Sequence, residues 1–247
     1  MAVALILSGG KGARLGADIP KQYIEVYDRP VISYCIERLS VHEKIDRIQI
    51  VAAPQWYQII ERCLEKYDKN KKFQGFSLPG ENRQLSICNG LTDIRKYADD
   101  SQIVLVHDAA RPLLSSRIVT ECLEAVHGHD GVVPVIPMKD TIYRSMDGKK
   151  ISALINRSEV YAGQAPEAFR IGKYYEANKM LCPNKILEIN GSTEPAVLAG
   201  LDMVMIAGDE SNFKITTAED LEHFEEIIKQ KGWQGAADEG MGIVQSR

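Results

Sequence analysis

The residues Ala2-Val3-Ala4-Leu5-Ile6-Leu7 run directly into the turn Ser8-Gly9-Gly10-Lys11-Gly12-Ala13-Arg14-Leu15-Gly16. The apolar run is typical of a short buried strand. The glycines after it allow backbone N–H groups to close around an anion, and Arg14 adds a full positive charge. This stretch therefore predicts the first strand of an α/β sheet, with a phosphate-binding turn where the strand ends.

A second cation stands close to this turn. Lys21 follows Pro20, whose restricted backbone can hold the charge toward the same crevice. The turn is not a Walker A loop, because Lys11 is followed by Gly12 and not by Ser or Thr. It is not a dinucleotide fingerprint either, since Leu15 stands where the third glycine belongs. A glycine turn that holds no ligand remains the alternative.

The composition favours a small anionic ligand. The chain has 247 residues, of which 45% are hydrophobic and 26% charged, and its formal net charge is −4. An acidic balance argues against binding to nucleic acid or to an anionic membrane surface, and no apolar run reaches the roughly 18 residues of a membrane span. We expect a cytoplasmic protein. The five cysteines are scattered singly and predict neither a zinc site nor disulfides.

Short β-branched runs alternate with amphipathic segments along the chain. The predicted strands are 2–7, 47–52, 73–77, 103–107, 131–136 and 203–207, and the predicted helices are 31–39, 56–67, 83–97 and 117–126. This order predicts a Rossmann-like α/β fold, a mostly parallel sheet with helices on both faces. Ligands of such sheets bind beyond the carboxyl ends of the strands, so the glycine turn and Asp108 should meet there.

A ribbon interrupts the alternation. Residues 137–151 alternate polar and apolar side chains around the turn signal Asp147-Gly148. A two-stranded ribbon is stabilised when it crosses a second copy of itself, so we expect 137–160 to be a dimerisation arm. A surface hairpin on a monomer is the alternative. The remainder is predicted to be one domain, 1–231, followed by a flexible tail, 232–247.

Several motifs occur together in the order of one family. They are Gly9-Gly10-x-Gly12-x-Arg14, Pro20-Lys21-Gln22-Tyr23, Gly80-Glu81-x-Arg83-x-x-Ser86, His107-Asp108-Ala109-Ala110-Arg111-Pro112, Asp140-Thr141 and Asn212-Phe213-Lys214-Ile215-Thr216. Over residues 3–230 the chain resembles the 2-C-methyl-D-erythritol 4-phosphate cytidylyltransferases and the ribitol-5-phosphate cytidylyltransferases. Each motif alone is weak, and the combination is specific.

The resemblance implies transfer of CMP from CTP to the phosphate of a small polyol, with release of pyrophosphate and with Mg²⁺ as cofactor. It implies that Arg14 and Lys21 are catalytic and neutralise charge at the α-phosphate. The nucleotide-binding residues that it implies are Leu7, Ser8, Gly9, Gly10, Lys11, Gly12, Gly80, Glu81, Arg83, Ser86 and Ala109. Without the resemblance, Ser86 reads as a backbone-bonded hydroxyl and Arg83 as one half of a loop-bracing ion pair.

The acceptor side is implied in the same way. The implied substrate-binding residues are Asp108, Arg111, Thr141, Arg157 and Lys214. Arg157 is expected to reach the crevice of the other subunit in a homodimer, and Asp108 is a candidate Mg²⁺ ligand. A structural Asp108–Arg111 pair is the alternative. His107 is read as a packing histidine and Thr217 as the N-cap of the last helix.

The identity of the acceptor depends on a few residues. Methylerythritol enzymes tend to show Thr-Asp near the position of Asn190-Gly191, whereas 6–10 and 163–166 look more like the ribitol-phosphate branch. We therefore favour ribitol 5-phosphate over 2-C-methyl-D-erythritol 4-phosphate, and both pathways, a cell-surface polymer such as wall teichoic acid and isoprenoid biosynthesis, stay open. The alternatives are a sugar-phosphate nucleotidyltransferase that uses UTP or GTP, and a nucleotide-binding module without turnover.

Overall fold

A mixed β-sheet forms the centre of the protein, seen in a computed structural model that describes residues 1–10 and 19–231, with Lys231 as backbone only. The strands are β1 (Ala2–Leu7), β2 (Arg47–Val51), β3 (Phe73–Ser77), β4 (Ile103–Asp108), β5 (Gly131–Pro137), β6 (Ile142–Arg144), β7 (Ala153–Ile155), β8 (Tyr161–Gly163), β9 (Glu167–Arg170) and β10 (Met203–Ala207). The sheet order is β10-β5-β9-β4-β1-β2-β3, and β8 also pairs with β5.

Parallel pairing dominates the sheet. β1 pairs in parallel with β2 and β4, β2 with β3, and β5 with β10. The exception is β9, which lies antiparallel between β4 and β5. Because β9 runs the other way, its first residue Glu167 pairs with Val106 near the carboxyl end of β4.

Helices cover both faces of the sheet, as predicted. They are α1 (Val31–Val41), α2 (Tyr57–Tyr67), α3 (Arg83–Ile94), α4 (Ser116–Ala125), α5 (Ile171–Lys179), α6 (Glu194–Leu198) and α7 (Ala218–Lys231). In β1, Ala4 and Ile6 pack in the cluster with α1, α2 and α4, whereas Val3 and Leu5 pack in the cluster with α3 and α5. This alternation follows from the two-residue period of a strand.

The predicted elements are confirmed with small differences at their ends. The helix predicted over 83–97 ends at Ile94, and the one predicted over 56–67 begins at Tyr57 after a 3₁₀ turn, Pro54–Trp56. Asn82 caps α3, and the hydroxyl of Thr217 accepts a hydrogen bond from the Asp220 N–H (3.3 Å), so its predicted capping role is confirmed.

The sequence did not predict β8, β9, α5 or α6. β9 has four residues, and its first is a buried glutamate, so neither strand length nor apolar alternation marked it. Pro166, which precedes it, follows a cis peptide bond. The prediction failed here because a short strand between two others takes its conformation from its neighbours and not from its own propensity.

The predicted ribbon is present as a separate two-stranded sheet of β6 and β7. Its apolar side chains Tyr143, Met146, Ile151 and Leu154 are exposed. The limits of the domain and the dimerisation role of the arm stay predictions, and the predicted tail, 232–247, lies outside the described residues. All five cysteines are free. In the described ranges, none of the helices has the length and apolarity that crossing a membrane requires.

Candidate active site

The glycine turn leaves β1 where the strand ends and is described as far as Gly10. Ser8 is buried, and a Cβ added to Gly9 would lie 2.7 Å from the Cβ of Pro79. Glycine is therefore required at position 9 by a close approach between two loops. The predicted site residues outside the described ranges are Lys11, Gly12 and Arg14.

Two side chains of the 3₁₀ turn Lys21–Tyr23 brace the glycine turn. Nε2 of Gln22 donates to the carbonyl oxygens of Ser8 (2.8 Å) and Gly10 (2.9 Å). The Tyr23 hydroxyl donates to the Ser8 carbonyl (3.0 Å) and accepts from the Ser8 hydroxyl (2.8 Å). Since C=O and N–H point in opposite directions in a trans peptide, holding the Ser8 carbonyl also orients the N–H of Gly9.

These bracing roles of Gln22 and Tyr23 were missed by sequence reasoning. The signal was available, because a polar and an aromatic residue directly follow the predicted catalytic lysine in a family motif. Lys21 itself opens the 3₁₀ turn after Pro20 and is half-buried. The structure therefore puts Lys21 in the segment that braces the glycine turn.

The second predicted nucleotide-binding segment lies beside the first, through the contact between Gly9 and Pro79. The Gly80 N–H donates to Oγ of Ser86 (3.0 Å), and Oγ of Ser86 donates to the Asn82 carbonyl (2.9 Å). A Cβ on Gly80 would lie 2.3 Å from the Cβ of Leu85. Ser86 thus bonds to backbone and shapes the loop. Glu81 is exposed on the loop.

The ends of β1 and β4 are joined directly. The Ala109 N–H donates to the carbonyl of Leu7 at 3.0 Å, and Ala109 is buried. This bond places the segment after β4 next to the start of the glycine turn. The predicted convergence of the two segments is confirmed.

Asp108 lies at the centre of a cluster of cations. Its Oδ1 is 3.0 Å from Nη2 and 3.1 Å from Nε of Arg83, and its Oδ2 is 2.9 Å from Nζ of Lys214. Nε of Arg111 is 3.8 Å from the same Oδ2. Nη2 of Arg83 is also 3.7 Å from Oε2 of Glu167. Three cations therefore face two carboxylates, which leaves a surplus of positive charge when both carboxylates are ionised.

The pKa directions follow from this arrangement. Burial acts to raise the pKa of Asp108, but Arg83 and Lys214 lower it well below its usual range. Burial acts to lower the pKa of Arg83, and the carboxylates of Asp108 and Glu167 raise it overall. Burial lowers the pKa of Arg111 in spite of Asp108. At neutral pH Asp108 is therefore ionised and Arg83 is protonated.

Arg111 is held from the opposite side by the segment before α7. Its Nη1 donates to the carbonyl of Asn212 (2.6 Å), and the side-chain amide of Asn212 donates to the Ala165 carbonyl (2.8 Å). Next to it, His107 is fully buried, and its Nε2 lies 3.0 Å from the Arg111 carbonyl. Burial lowers the pKa of His107 to about 4, which fits the predicted packing histidine.

The arm residues lie apart from this cluster. Thr141 and Arg157 are exposed, and Nη1 of Arg157 donates to the carbonyl of Lys139 (2.7 Å), within the arm. Within a single chain, Asp108, Arg111 and Lys214 thus lie together, whereas Thr141 and Arg157 do not contact them.

The described residues do not fit a magnesium site held by the protein. Both oxygens of Asp108 are taken by cations, and no group of three or more His, Cys, Asp or Glu side chains in the described ranges could hold a metal ion. Magnesium in nucleotide sites is bound largely by phosphates and water, with one or two carboxylates from the protein. The predicted metal role of Asp108 therefore has no support in this geometry.

Comparison with known proteins gives one family. A family model described as 2-C-methyl-D-erythritol 4-phosphate cytidylyltransferase matches residues 2–230. A ribitol-5-phosphate cytidylyltransferase of Lactiplantibacillus plantarum is 30% identical over 234 residues, covering 94% of this chain and 100% of that protein. A 2-C-methyl-D-erythritol 4-phosphate cytidylyltransferase of Rubrobacter xylanophilus is 33% identical over 239 residues, covering 95% of this chain and 98% of that protein.

A solved structure agrees with the sequence relatives. The 4-diphosphocytidyl-2C-methyl-D-erythritol synthase of Anaerococcus prevotii superposes with a TM-score of 0.78 at 27% identity, covering 92% of this chain and 96% of that one. The glycine turn, the cluster around Asp108 and these matches all agree, and the chain belongs to the 2-C-methyl-D-erythritol 4-phosphate cytidylyltransferase family.

Proposed function

We propose that this chain is a cytidylyltransferase that transfers CMP from CTP to the phosphate of a small polyol and releases pyrophosphate. The observation that carries the proposal is the cationic cluster of Arg83, Arg111 and Lys214 around Asp108, beside the braced glycine turn. Family membership supports the same reaction. Cations at the meeting point of two anions are what this chemistry requires.

The chemistry needs no separate nucleophile from the protein. The acceptor phosphate is an anion at neutral pH and attacks the α-phosphorus of CTP in line, while pyrophosphate leaves. The chain's part is to bring two anions together against their repulsion, a role we assign to Lys21 and Arg14. Magnesium, which we expect to enter with CTP, would supply charge neutralisation on the triphosphate.

Ribitol 5-phosphate is the acceptor we favour, and 2-C-methyl-D-erythritol 4-phosphate is the other candidate. Relatives of both names match the chain over nearly its full length. Lys214 and Arg111 suit the acceptor phosphate, and Asp108, which its low pKa keeps ionised, holds Lys214 and Arg83 in place. The placement in the cytoplasm stays a prediction.

We also propose that the active enzyme is a homodimer that exchanges its arms. The apolar side chains of the arm, Tyr143, Met146, Ile151 and Leu154, are exposed in the single chain. At the base of the arm, Tyr161 and Met205 line a surface depression of about 390 Å³. A second copy would cover this apolar surface and bring Arg157 to the neighbouring cluster.

The reaction is tested by pyrophosphate release from CTP, UTP, GTP and ATP, each with magnesium, against ribitol 5-phosphate, 2-C-methyl-D-erythritol 4-phosphate and a panel of sugar 1-phosphates. Release with CTP and one polyol phosphate is expected. Turnover with UTP or GTP and a sugar 1-phosphate would establish a different nucleotidyltransferase. CTP binding without any release would indicate a binding module.

The shared site is tested by subunit complementation. Arg157→Gln and Lys21→Gln subunits, each inactive alone, are unfolded together, refolded and assayed. If the sites are shared, about a quarter of wild-type activity returns, because half of the dimers are mixed and each mixed dimer has one intact site. Activity no higher than that of the two variants alone, with mixed dimers present, contradicts the exchange.

A further inference from the structure

A buried glutamate adjoins the cation cluster and has no role in the function described so far. Glu167 is the first residue of β9, and its side chain is 11% exposed. Oε1 accepts a hydrogen bond from the hydroxyl of Ser192. Oε2 is buried, has no hydrogen-bond partner among the described residues, and lies 3.7 Å from Nη2 of Arg83.

The position of Arg83 depends on two carboxylates. Nε and Nη2 both contact Oδ1 of Asp108, and Nη2 also faces Glu167. About a third of the Arg83 side chain is exposed, so its buried edge rests on carboxylates while the rest can meet a ligand. A guanidinium is planar, so fixing one edge fixes the direction in which the other N–H groups point.

Titratable groups from several elements face Glu167. They are Arg83 of α3, Asp108 at the end of β4, Arg111, Tyr174 of α5 and Cys122 of α4. Burial raises its pKa, and Arg83, Ser192 and Arg111 act against that rise. Its negative charge therefore depends mainly on the two guanidinium groups and the Ser192 hydroxyl.

We propose that Glu167 is a positioning residue that, held by Ser192, orients Arg83 toward the polyol phosphate acceptor. This assigns Arg83 to the acceptor and not, as the resemblance implied, to the nucleotide, because Arg83 shares Asp108 with Lys214 and Arg111. The proposal rests on the proposed function and assigns a determinant of acceptor binding in the same site. It also assigns a role to the segment around Ser192. Ser192 is buried, and its carbonyl accepts a hydrogen bond from the Tyr174 hydroxyl (2.7 Å). This segment adjoins Asn190-Gly191, near which the resemblance leads one to expect Thr-Asp in a methylerythritol enzyme.

The test is the kinetics of Glu167→Gln with CTP and with whichever acceptor the wild-type enzyme uses. The amide keeps the shape and can still accept from Ser192, but its NH₂ group repels the Arg83 guanidinium. We expect the KM for the acceptor to rise about tenfold and the KM for CTP to stay within about twofold. Glu167→Asp, which keeps the charge, should recover part of the loss.

Two further variants test whether Glu167 acts through Arg83. In an Arg83→Gln background, Glu167→Gln should change the acceptor KM by less than about twofold, because the cation that Glu167 positions is gone. Glu121→Gln is the matched control, since it removes a surface carboxylate that pairs with Arg117 at 2.7 Å and should change nothing.

The proposal is overturned if Glu167→Gln leaves the acceptor KM unchanged, if it raises both KM values equally, or if its full effect persists with Arg83→Gln. If Glu167→Gln fails to fold, Ser192→Ala and Glu167→Asp take its place. A rise in the acceptor KM alone supports the positioning role of Glu167, and no rise refutes it. A wild-type enzyme inactive with CTP and both polyol phosphates refutes the proposed function instead, before any variant is assayed.

Discussion

Nζ of Lys214 lies 2.9 Å from Oδ2 of Asp108, although 106 positions separate the two residues in the chain. The contact exists because the segment before α7 returns to the end of β4, where the Ile215 N–H donates to the Ala110 carbonyl (2.9 Å). Lys214 is about a third exposed, so one side of its ammonium group faces Asp108 and the other can face a ligand. The pair therefore links the fold of the carboxyl-terminal segment to the proposed acceptor side of the site.

Lys214→Gln should weaken acceptor binding. The change removes a positive charge from the place assigned to the acceptor phosphate, so we expect the acceptor KM to rise about tenfold with the CTP KM little changed. Steady-state kinetics with each substrate varied measures both. Lys214→Arg, which keeps the charge, is the control, and a larger effect on CTP than on the acceptor would contradict the assignment.

Lys21→Gln should slow the chemical step. If Lys21 neutralises charge that develops in the transition state, kcat falls by about a hundredfold or more while the Kd of CTP changes little. Single-turnover rates and calorimetric CTP binding separate the two effects. Lys69→Gln, a change at an exposed lysine, is the control. A loss that lies wholly in CTP binding would make Lys21 a binding residue and not a catalytic one.

Gln22→Met should weaken CTP binding without touching the nucleotide. The thioether cannot donate to the Ser8 and Gly10 carbonyls, so the glycine turn loses two of its braces. Losing such bonds costs about 1–2 kcal/mol, which corresponds to roughly a tenfold increase in the Kd of CTP. Tyr23→Phe removes contacts to Ser8 alone and should have a smaller effect. Calorimetry gives both values, and equal effects would show that the Gly10 bond is unimportant.

Gly9→Ala should destabilise the fold far more than Gly10→Ala. A Cβ at position 9 meets Pro79 at 2.7 Å, whereas a Cβ at position 10 meets nothing within 4 Å among the described residues. Overpacking of this kind costs about 1–3 kcal/mol of unfolding free energy, against about 0.5 kcal/mol or less for a change into open space. Urea denaturation of the two variants measures the difference. If the two variants unfold at similar urea concentrations, the loop that carries Pro79 can move away from the added Cβ at little cost.

His107 should make stability depend on pH between 6.5 and 4. Burial lowers its pKa from 6.5 to about 4, so the folded state keeps it neutral while the unfolded chain takes up a proton. The contribution of His107 to the free energy of unfolding is therefore fully present above pH 6.5 and falls as the pH is lowered, by about 3 kcal/mol at pH 4. Urea denaturation of the wild type and of His107→Gln at several pH values isolates the contribution of His107. If the unfolding free energy depends on pH in the same way in both proteins, the contribution is excluded.

Much of the site could be predicted from the sequence. The glycine turn, Lys21 after it, and Asp108 with Arg111 at a strand end could all be identified from short stretches, and the structure places the described ones at one edge of the sheet. Glu167 and the bracing role of Gln22 could not be predicted in this way. A glutamate in a four-residue strand and a glutamine in a short turn have no local pattern that marks their partners.

The sequence by itself determined the α/β class, the position of the glycine turn and the charged groups available to the site. Strand and helix periods and turn chemistry are local properties, so they can be read from neighbouring residues. Only the tertiary structure decided that Arg83, Lys214 and Glu167 meet at Asp108. Their meeting depends on the order of the strands and on the antiparallel direction of β9, because these set which distant residues lie side by side.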